Sequence, residues 1–367
     1  MVKHHGKFGM TNEFNKLRKF WKNKKVFLTG HTGFKGAWFT IFLNLLGAKV
    51  IGYSLKPEKK SFYNYAKINK FCEKIFYGNI CNYKNLKKKM LSTSPDILVH
   101  MAAQPLVRYS YDNPRYTYEV NTMGTINILS ILNEINFVKT ALFITTDKVY
   151  YNNNKKKFYV ENDILGGKDP YSNSKALAEL SIKSYYDSFL KEKKIYLAAA
   201  RAGNVIGGGD FSEDRIVPDY FRSFKKKKLY LRQPNSIRPW QHIIEPLYGY
   251  LILLEKLYKK KNYKQKSWNF GPKKSNNKSV IKVINLLNKN FNNKIKIIKK
   301  LNKNKNYRES QVLMLNSTKA KKELKWKPKY NLSYSLKLVA DWHRAHQSNS
   351  NLVEISQNQI LNYFKKT

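Results

Sequence analysis

The sequence predicts an α/β protein: a Rossmann-type doubly wound parallel sheet followed by a smaller C-terminal domain. Three observations carry that expectation. Short apolar runs alternate with amphipathic helical stretches from residue 24 to about residue 200, the pattern of strands joined by helical crossovers. The first run ends in a glycine-rich turn that opens a helix. Beyond Gly203 the alternation breaks down, and Gly, Pro and Lys-rich segments intervene.

The elements follow in order. Residues 1–20 read as a polar, basic lead-in, expected to be mobile. Val26-Phe27-Leu28-Thr29 is the first strand, a helix covers about Gly33 to Leu46, and Ala48 to Tyr53 forms a second strand. Ile97-Leu98-Val99-His100 and Ala141 to Thr145 are further strands. Tyr116 to Asn136 has the helical spacing of Val120, Met123, Ile128, Leu129 and Leu132. A helix from Tyr171 to about Leu190 precedes a strand over Ile195 to Ala200. The nucleotide-binding domain is thus expected over residues 21–202. A mainly separate domain follows over 203–345, with the chain weaving back to the sheet near 240–270, and a tail over 346–367. Lysine-rich stretches at 225–228, 259–261 and 299–305 read as solvated turns or helix ends. No internal repeat is present.

Composition narrows the class. With 42% hydrophobic residues in 367, the chain buries a sizeable core. The formal net charge of +46 suggests a nucleic-acid or membrane-surface partner. Its make-up argues otherwise: 60 of the 70 basic residues are Lys and ten are Arg, whereas phosphate and base recognition favours the planar Arg fork. The lysines lie between elements all along the chain, not clustered on one face with aromatics. Neither nucleic acid nor membrane is expected as a partner. Cys72 and Cys81, the two cysteines, have no metal-ligand spacing, so neither a disulfide framework nor a metal is expected. No signal-peptide core is seen, and the longest late apolar run, residues 247–254, is too short to span a bilayer. A cytoplasmic location is the expectation.

Thr29-Gly30-His31-Thr32-Gly33-Phe34-Lys35-Gly36 follows the first strand directly. Gly30 allows the tight turn, Gly33 lets a pyrophosphate approach the backbone, and Gly36 lets the helix pack on the strand, its N-terminus facing the phosphate charge. The acidic residue usual at the end of the second strand is missing from Gly52-Tyr53-Ser54-Leu55-Lys56. Ser54 is the candidate for the ribose and Lys56 for a 2′-phosphate, so NAD is expected and NADP stays open. Further on, Tyr171 and Lys175 share one helix face, and an ammonium beside a phenol brings its pKa toward working range. Thr145-Thr146-Asp147-Lys148 ends a strand at the edge where an open α/β sheet places its site.

This order of motifs resembles the extended short-chain dehydrogenases/reductases acting on nucleotide sugars, and within them the CDP-glucose 4,6-dehydratases. Seven collinear blocks over roughly residues 21–345 carry the resemblance: the glycine turn; Ala102-Ala103-Gln104-Pro105-Leu106-Val107-Arg108; Thr146-Asp147-Lys148; Gly166-Gly167-Lys168-Asp169-Pro170-Tyr171; Arg201 through Asp210; Arg238-Pro239-Trp240-Gln241-His242; and Trp268-Asn269-Phe270-Gly271-Pro272. Two positions depart from it: Asn79, where an Asp commonly meets the adenine, and Val149, where a Cys is expected. The resemblance implies a hydro-lyase turning CDP-glucose into CDP-4-keto-6-deoxyglucose by C4 oxidation, loss of water across C5–C6 and hydride return to C6, with NAD tightly bound and regenerated. The keto-sugar would feed deoxysugar and surface polysaccharide (lipopolysaccharide) biosynthesis.

The resemblance also assigns roles. Tyr171 with Lys175 takes the 4-hydroxyl proton, Thr146 steadies the 4-oxygen, Asp147 is the acid for the leaving 6-hydroxyl, and Lys148 assists at C5, where related dehydratases carry Glu. Gly30, Thr32, Gly33, Phe34, Gly36, Ser54, Asn79, Ile80, Ala102 and Ala103 would line the cofactor together with Tyr171 and Lys175. Arg108, Thr146, Asn204, Arg215 and Arg238 would meet the substrate, whereas Trp240 and His242 read as core and turn residues. The rivals are an epimerase, which needs no acid for a leaving hydroxyl, a dehydratase for dTDP-glucose or GDP-mannose, and a basic nucleic-acid-binding protein. By analogy a homodimer or homotetramer is expected.

Overall fold

The computed structural model describes residues 11–154, 156–259, 263, 266–291, 295–299 and 310–365. Its centre is a seven-stranded sheet of β1 (Lys25–Thr29), β2 (Lys49–Ser54), β3 (Lys74–Tyr77), β4 (Ile97–His100), β5 (Thr140–Ile144), β6 (Tyr196–Ala202) and β7 (Ser267–Phe270). The spatial order is β7-β6-β5-β4-β1-β2-β3, and every pairing is parallel. Strands β1, β4 and β5 are continuous apolar runs because both of their faces are covered. The order reverses between β1 and β4, and a doubly wound sheet opens its ligand crevice at that switch, outside the strands' carboxyl ends.

Two cores flank the sheet. The helices used below are α1 (Asn12–Trp21), α2 (Phe34–Leu45), α3 (Tyr83–Leu91), α4 (Gly124–Glu134), α5 (Pro170–Tyr185), α6 (Ile244–Tyr258), α7 (Leu332–Gln347) and α8 (Leu352–Tyr363). One core gathers buried side chains of α1, α2, α6 and α8, among them Trp21, Trp38, Leu251 and Ile360. The other packs Leu86, Ile128, Leu132 and Ile182 of α3, α4 and α5 against the opposite face. A third core, around Tyr220, Trp240, Val283, Leu287 and Leu336, belongs to the segments after Gly203. β7 comes from within that later region and returns to pair with β6.

Both chain ends differ from expectation. The described part of the lead-in is helix α1, with Phe14, Leu17 and Trp21 buried. The polar residues form only its outer face; residues 1–10, with His4 and His5, lie outside the described residues. The tail is helix α8, capped by the Asn351 side chain. Phe364 beyond it sits edge-on to Phe14 and Phe42, with ring centres 5.2 and 5.9 Å apart. Apolar residues spaced along both helices are anchored here despite a Lys- and Asn-rich background. The helix expected over 116–136 contains a π-helical turn, Glu119–Met123, immediately before α4. Gly124 begins α4 where a Cβ would meet Ile80 Cδ1 at 2.6 Å. Most of the 299–305 lysine stretch and residues 260–261 lie outside the described residues. Among those described, no helix is long and apolar enough to cross a membrane.

Candidate active site

The glycine turn is built as a cradle. Gly30 has φ +77°, and a Cβ there would lie 2.6 Å from the Ala102 nitrogen. A Cβ at Gly36 would reach the Gly30 carbonyl oxygen at 2.1 Å, so α2 sits tight on the turn. Thr29 Oγ1 accepts the N–H groups of Met101 and Ala102, both at 3.2 Å, and lies 2.8 Å from His100 Nδ1. This fastens the ends of β1 and β4 together. Gly33 is exposed and forms the start of α2 with no side-chain cap. The first N–H groups of α2 are thus left without a side-chain cap, as a pyrophosphate requires. The turn fits a dinucleotide.

The adenosine end differs from expectation. Ser54 is buried, its hydroxyl 2.9 Å from His31 Nδ1 and 3.5 Å from the Thr32 N–H. His31 is itself buried, and loss of solvent pulls its pKa down to about 4. Ser54 thus braces the turn from inside and is not turned outward to a ribose. Thr32 Oγ1 donates to the Leu55 carbonyl. Asn79 is exposed at the end of β3, its Oδ1 accepting the Cys81 N–H at 2.9 Å. Ile80 is buried beside Gly124.

The chemistry-bearing residues meet at the carboxyl end of β5. Thr146 Oγ1 donates to Asp147 Oδ1 at 3.1 Å and accepts the Lys148 N–H at 3.3 Å. Asp147 is 2% exposed, and its Oδ2 has no hydrogen-bond partner. Burial raises the Asp147 pKa, against the lowering effects of Lys148, Thr146, Arg238 and Lys35. Helix α5 is launched by Asp169, whose carboxylate accepts from the Ser172 N–H at 2.9 Å and the Ser172 hydroxyl at 2.6 Å, with Pro170 in the first turn. That places Tyr171 over the strand end and Lys175 one turn deeper, its Nζ donating to the Ile144 carbonyl at 3.3 Å. Burial pushes Tyr171 up to about 12, while the Thr146 hydroxyl works the other way. Burial, helped by the Lys35 cation, draws Lys175 down to about 8, and Glu179 opposes it.

Over this corner opens a cavity of about 290 Å³. Thr146, Asp147, Lys148, Tyr171, Asn204, Arg108, Arg215 and Arg238 all line it, so the expected catalytic and substrate residues share one space, with Lys175 beneath. Gly203 leaves its wall thin: a Cβ there would come 3.2 Å from Asp147 Oδ2. Arg238 is buried and Nη1 donates to the Ile237 and Gln311 carbonyls at 3.0 and 3.2 Å. Arg215 pairs with Asp210 at 3.0 Å, and Arg108 with Asp214 at 2.9 Å. Trp240 and His242 are buried. Sequence reasoning missed Lys35, Asp210, Asp214 and Arg232, which line the same cavity. The rarity of arginine was a usable signal for Arg232, whereas nothing local marks the aspartates. Among the described residues no three His, Cys, Asp or Glu side chains group as metal ligands.

A doubly wound sheet with a phosphate cradle at its switch point and a Tyr-x-x-x-Lys pair beside the next strand end defines an extended short-chain dehydrogenase/reductase. The chain belongs to the family described as GDP-mannose 4,6 dehydratase, whose model matches residues 27–338. It is 37% identical over 357 residues to the CDP-glucose 4,6-dehydratase of Salmonella typhimurium, covering 95% of this chain and 99% of that one. Among solved structures, a UDP-glucose 4-epimerase of Thermotoga maritima with UDP-glucose superposes with TM-score 0.77 at 21% identity, covering 88% of this chain and 99% of that one. The dTDP-glucose 4,6-dehydratase of Bacillus anthracis in complex with NAD gives TM-score 0.74 at 20% identity, covering 90% and 99%.

Proposed function

We propose that the chain is an NAD-dependent CDP-glucose 4,6-dehydratase, producing CDP-4-keto-6-deoxyglucose and water. The observation that carries this reading is the Asp147 carboxyl: buried, unpartnered at Oδ2, and facing the same cavity as Tyr171 and Lys148. An epimerase has no leaving hydroxyl to protonate and no use for such an acid. The near full-length likeness to a CDP-glucose 4,6-dehydratase supports the nucleotide.

Bound in the glycine cradle, NAD would supply the redox chemistry, storing the C4 hydride until it is returned to C6. The residues do the rest. Tyr171 takes the proton of the 4-hydroxyl, with the Lys175 ammonium favouring the phenolate. Thr146, next to the same oxygen, stabilises the negative charge that develops there. The 4-ketone makes the C5 proton acidic, and Lys148 assists its removal as base or by stabilising the enolate. Asp147, whose raised pKa favours the protonated carboxyl, delivers a proton to the departing 6-hydroxyl. The 4-hydroxyl and C5 protons pass to protein groups, water carries the 6-oxygen away, and a proton is given back to C5 to complete the reduction across C5–C6.

Incubation with CDP-glucose is expected to yield the alkali-labile 4-keto chromophore, with dTDP-glucose and GDP-mannose in parallel giving none. Turnover of either alternative and not of CDP-glucose overturns the nucleotide assignment. In Lys148→Ala, C5 deuterium exchange and turnover are expected to fall together by roughly 10²-fold or more, within the span of general base catalysis. Undiminished exchange removes Lys148 from the step. Exposed apolar side chains at Tyr116 and Met123, in the turns before α4, and at Leu177 and Leu180 of α5 support self-association through that face. Sedimentation of the 43.2 kDa chain as a monomer at micromolar concentration would remove that reading.

A further inference from the structure

We infer that Asp214 is a built-in stand-in for the substrate's diphosphate, holding Arg108 and Arg232 across the cavity mouth until an anionic ligand displaces it. The inference rests on reading the cavity as a nucleotide-sugar site. It adds Arg232 to that site as a binding residue and Asp214 as the group that sets its affinity.

One oxygen, Asp214 Oδ1, accepts from Arg108 Nη1 at 2.9 Å and from Arg232 Nη1 at 3.2 Å. The two arginines come from opposite sides: Arg108 from helix Val107–Asp112, after the β4 turn, and Arg232 from the end of strand Lys228–Leu231. Asp214 sits between them with φ +56°, left-handed backbone that Asp adopts more readily than most residues. All three side chains line the cavity and are 30–39% exposed, so water screens the bridge and it opens easily.

The charge balance points to what opens it. The cavity walls carry six Lys or Arg side chains against four Asp. The excess of cationic groups suits the negative charge of a diphosphate diester, whose several oxygens offer both guanidinium forks a pair of acceptors. A carboxylate presenting one shared oxygen does not compete on equal terms. Arg215 and Arg238 are already committed to Asp210 and to backbone carbonyls. Exchange of Asp214 for phosphate oxygens leaves both bridging arginines paired, before and after the ligand enters.

Calorimetric titration of the NAD-saturated full chain with CDP, and separately with inorganic pyrophosphate, tests this. Asp214→Asn keeps the side chain's size and removes its charge; it is expected to tighten CDP about fivefold. Arg232→Met is expected to weaken CDP about tenfold, and in the double variant the gain from Asp214→Asn shrinks. Equal or weaker CDP binding by Asp214→Asn overturns the proposal, as does wild-type affinity in Arg232→Met. Should Arg232→Met fail to fold, Arg232→Gln serves under the same criterion. The substrate reading is tested apart from this: if CDP-glucose is not turned over, the same series with dTDP and GDP still decides whether Asp214 competes with a diphosphate.

Discussion

Tyr171→Phe is expected to lower kcat for formation of the 4-keto sugar by roughly 10³-fold, within the range by which positioned acid–base groups act, with little change in KM or thermal stability. The phenol ring stays packed in its buried place on α5, and only the oxygen is lost. In the proposed mechanism that oxygen takes the 4-hydroxyl proton, since Asp147 is held toward the protonated form by burial and Lys175 lies beneath, bonded to the Ile144 carbonyl. The pH dependence has a definite sign. Burial lowers Lys175 to about 8 and raises Tyr171 to about 12, and in the proposed mechanism the Lys175 ammonium favours the phenolate. Raising pH through about 8 removes that cation while Tyr171 is still protonated, so kcat should fall on the alkaline side. A pH–rate series on wild type, with chromophore formation by Tyr171→Phe at a single pH, checks both. A loss of less than tenfold in the variant would mean that another group carries the proton.

What could be read from the sequence followed from burial. Strands β1, β4 and β5 are uninterrupted apolar runs because helices cover both faces, and such runs stand out even among lysines. β3, Lys-Ile-Phe-Tyr, does not: it is a half-exposed edge strand of four residues. Helix α3 is hidden in the same way, since only Leu86 and Met90 of its nine residues are buried and its outer face is lysine. The abundance of lysine therefore disguised the edges and both chain ends and spared the centre. At the site, the residues that adjoin in sequence were legible: Thr146 with Asp147 and Lys148, and Tyr171 with Lys175. What adjoins only in space was not. Ser54 looked available for a ribose until the fold placed His31 against it. Asp214 has no local signature and acquires a meaning only when residues 106 positions before it and 18 positions after it converge on one oxygen.

The same distinction governs the second large effect, which lies under the site. Glu179, one turn beyond Lys175 on α5, meets Arg201 of β6 in a fully buried ion pair. Its Oε1 accepts from the Thr145 hydroxyl at 2.6 Å and from Arg201 Nε at 2.9 Å, and Arg201 Nη1 donates to the Tyr150 hydroxyl at 2.7 Å, which passes on to Asn269 of β7 at 2.7 Å. The pair thus fixes α5, with Tyr171 and Lys175, against the segment carrying Thr146 and Asp147. Arg201→Met strands a carboxylate where no solvent reaches it, and should lower unfolding free energy by about 3–5 kcal/mol. Glu179→Leu should lower it by a similar amount for the opposite charge. The double variant discriminates between two roles. Two apolar side chains of comparable volume replace a buried pair with little net loss, so denaturant unfolding should show most of the stability recovered, a coupling well outside additivity. Activity should not recover with it. Thr145 loses its acceptor, Lys175 loses the carboxylate that opposes its loss of charge, and the alkaline limb of the pH–rate profile should move to lower pH. Recovery of kcat and of that limb together with stability would reduce the pair to a structural tie; recovery of stability alone makes it the element that positions and charges the catalytic lysine.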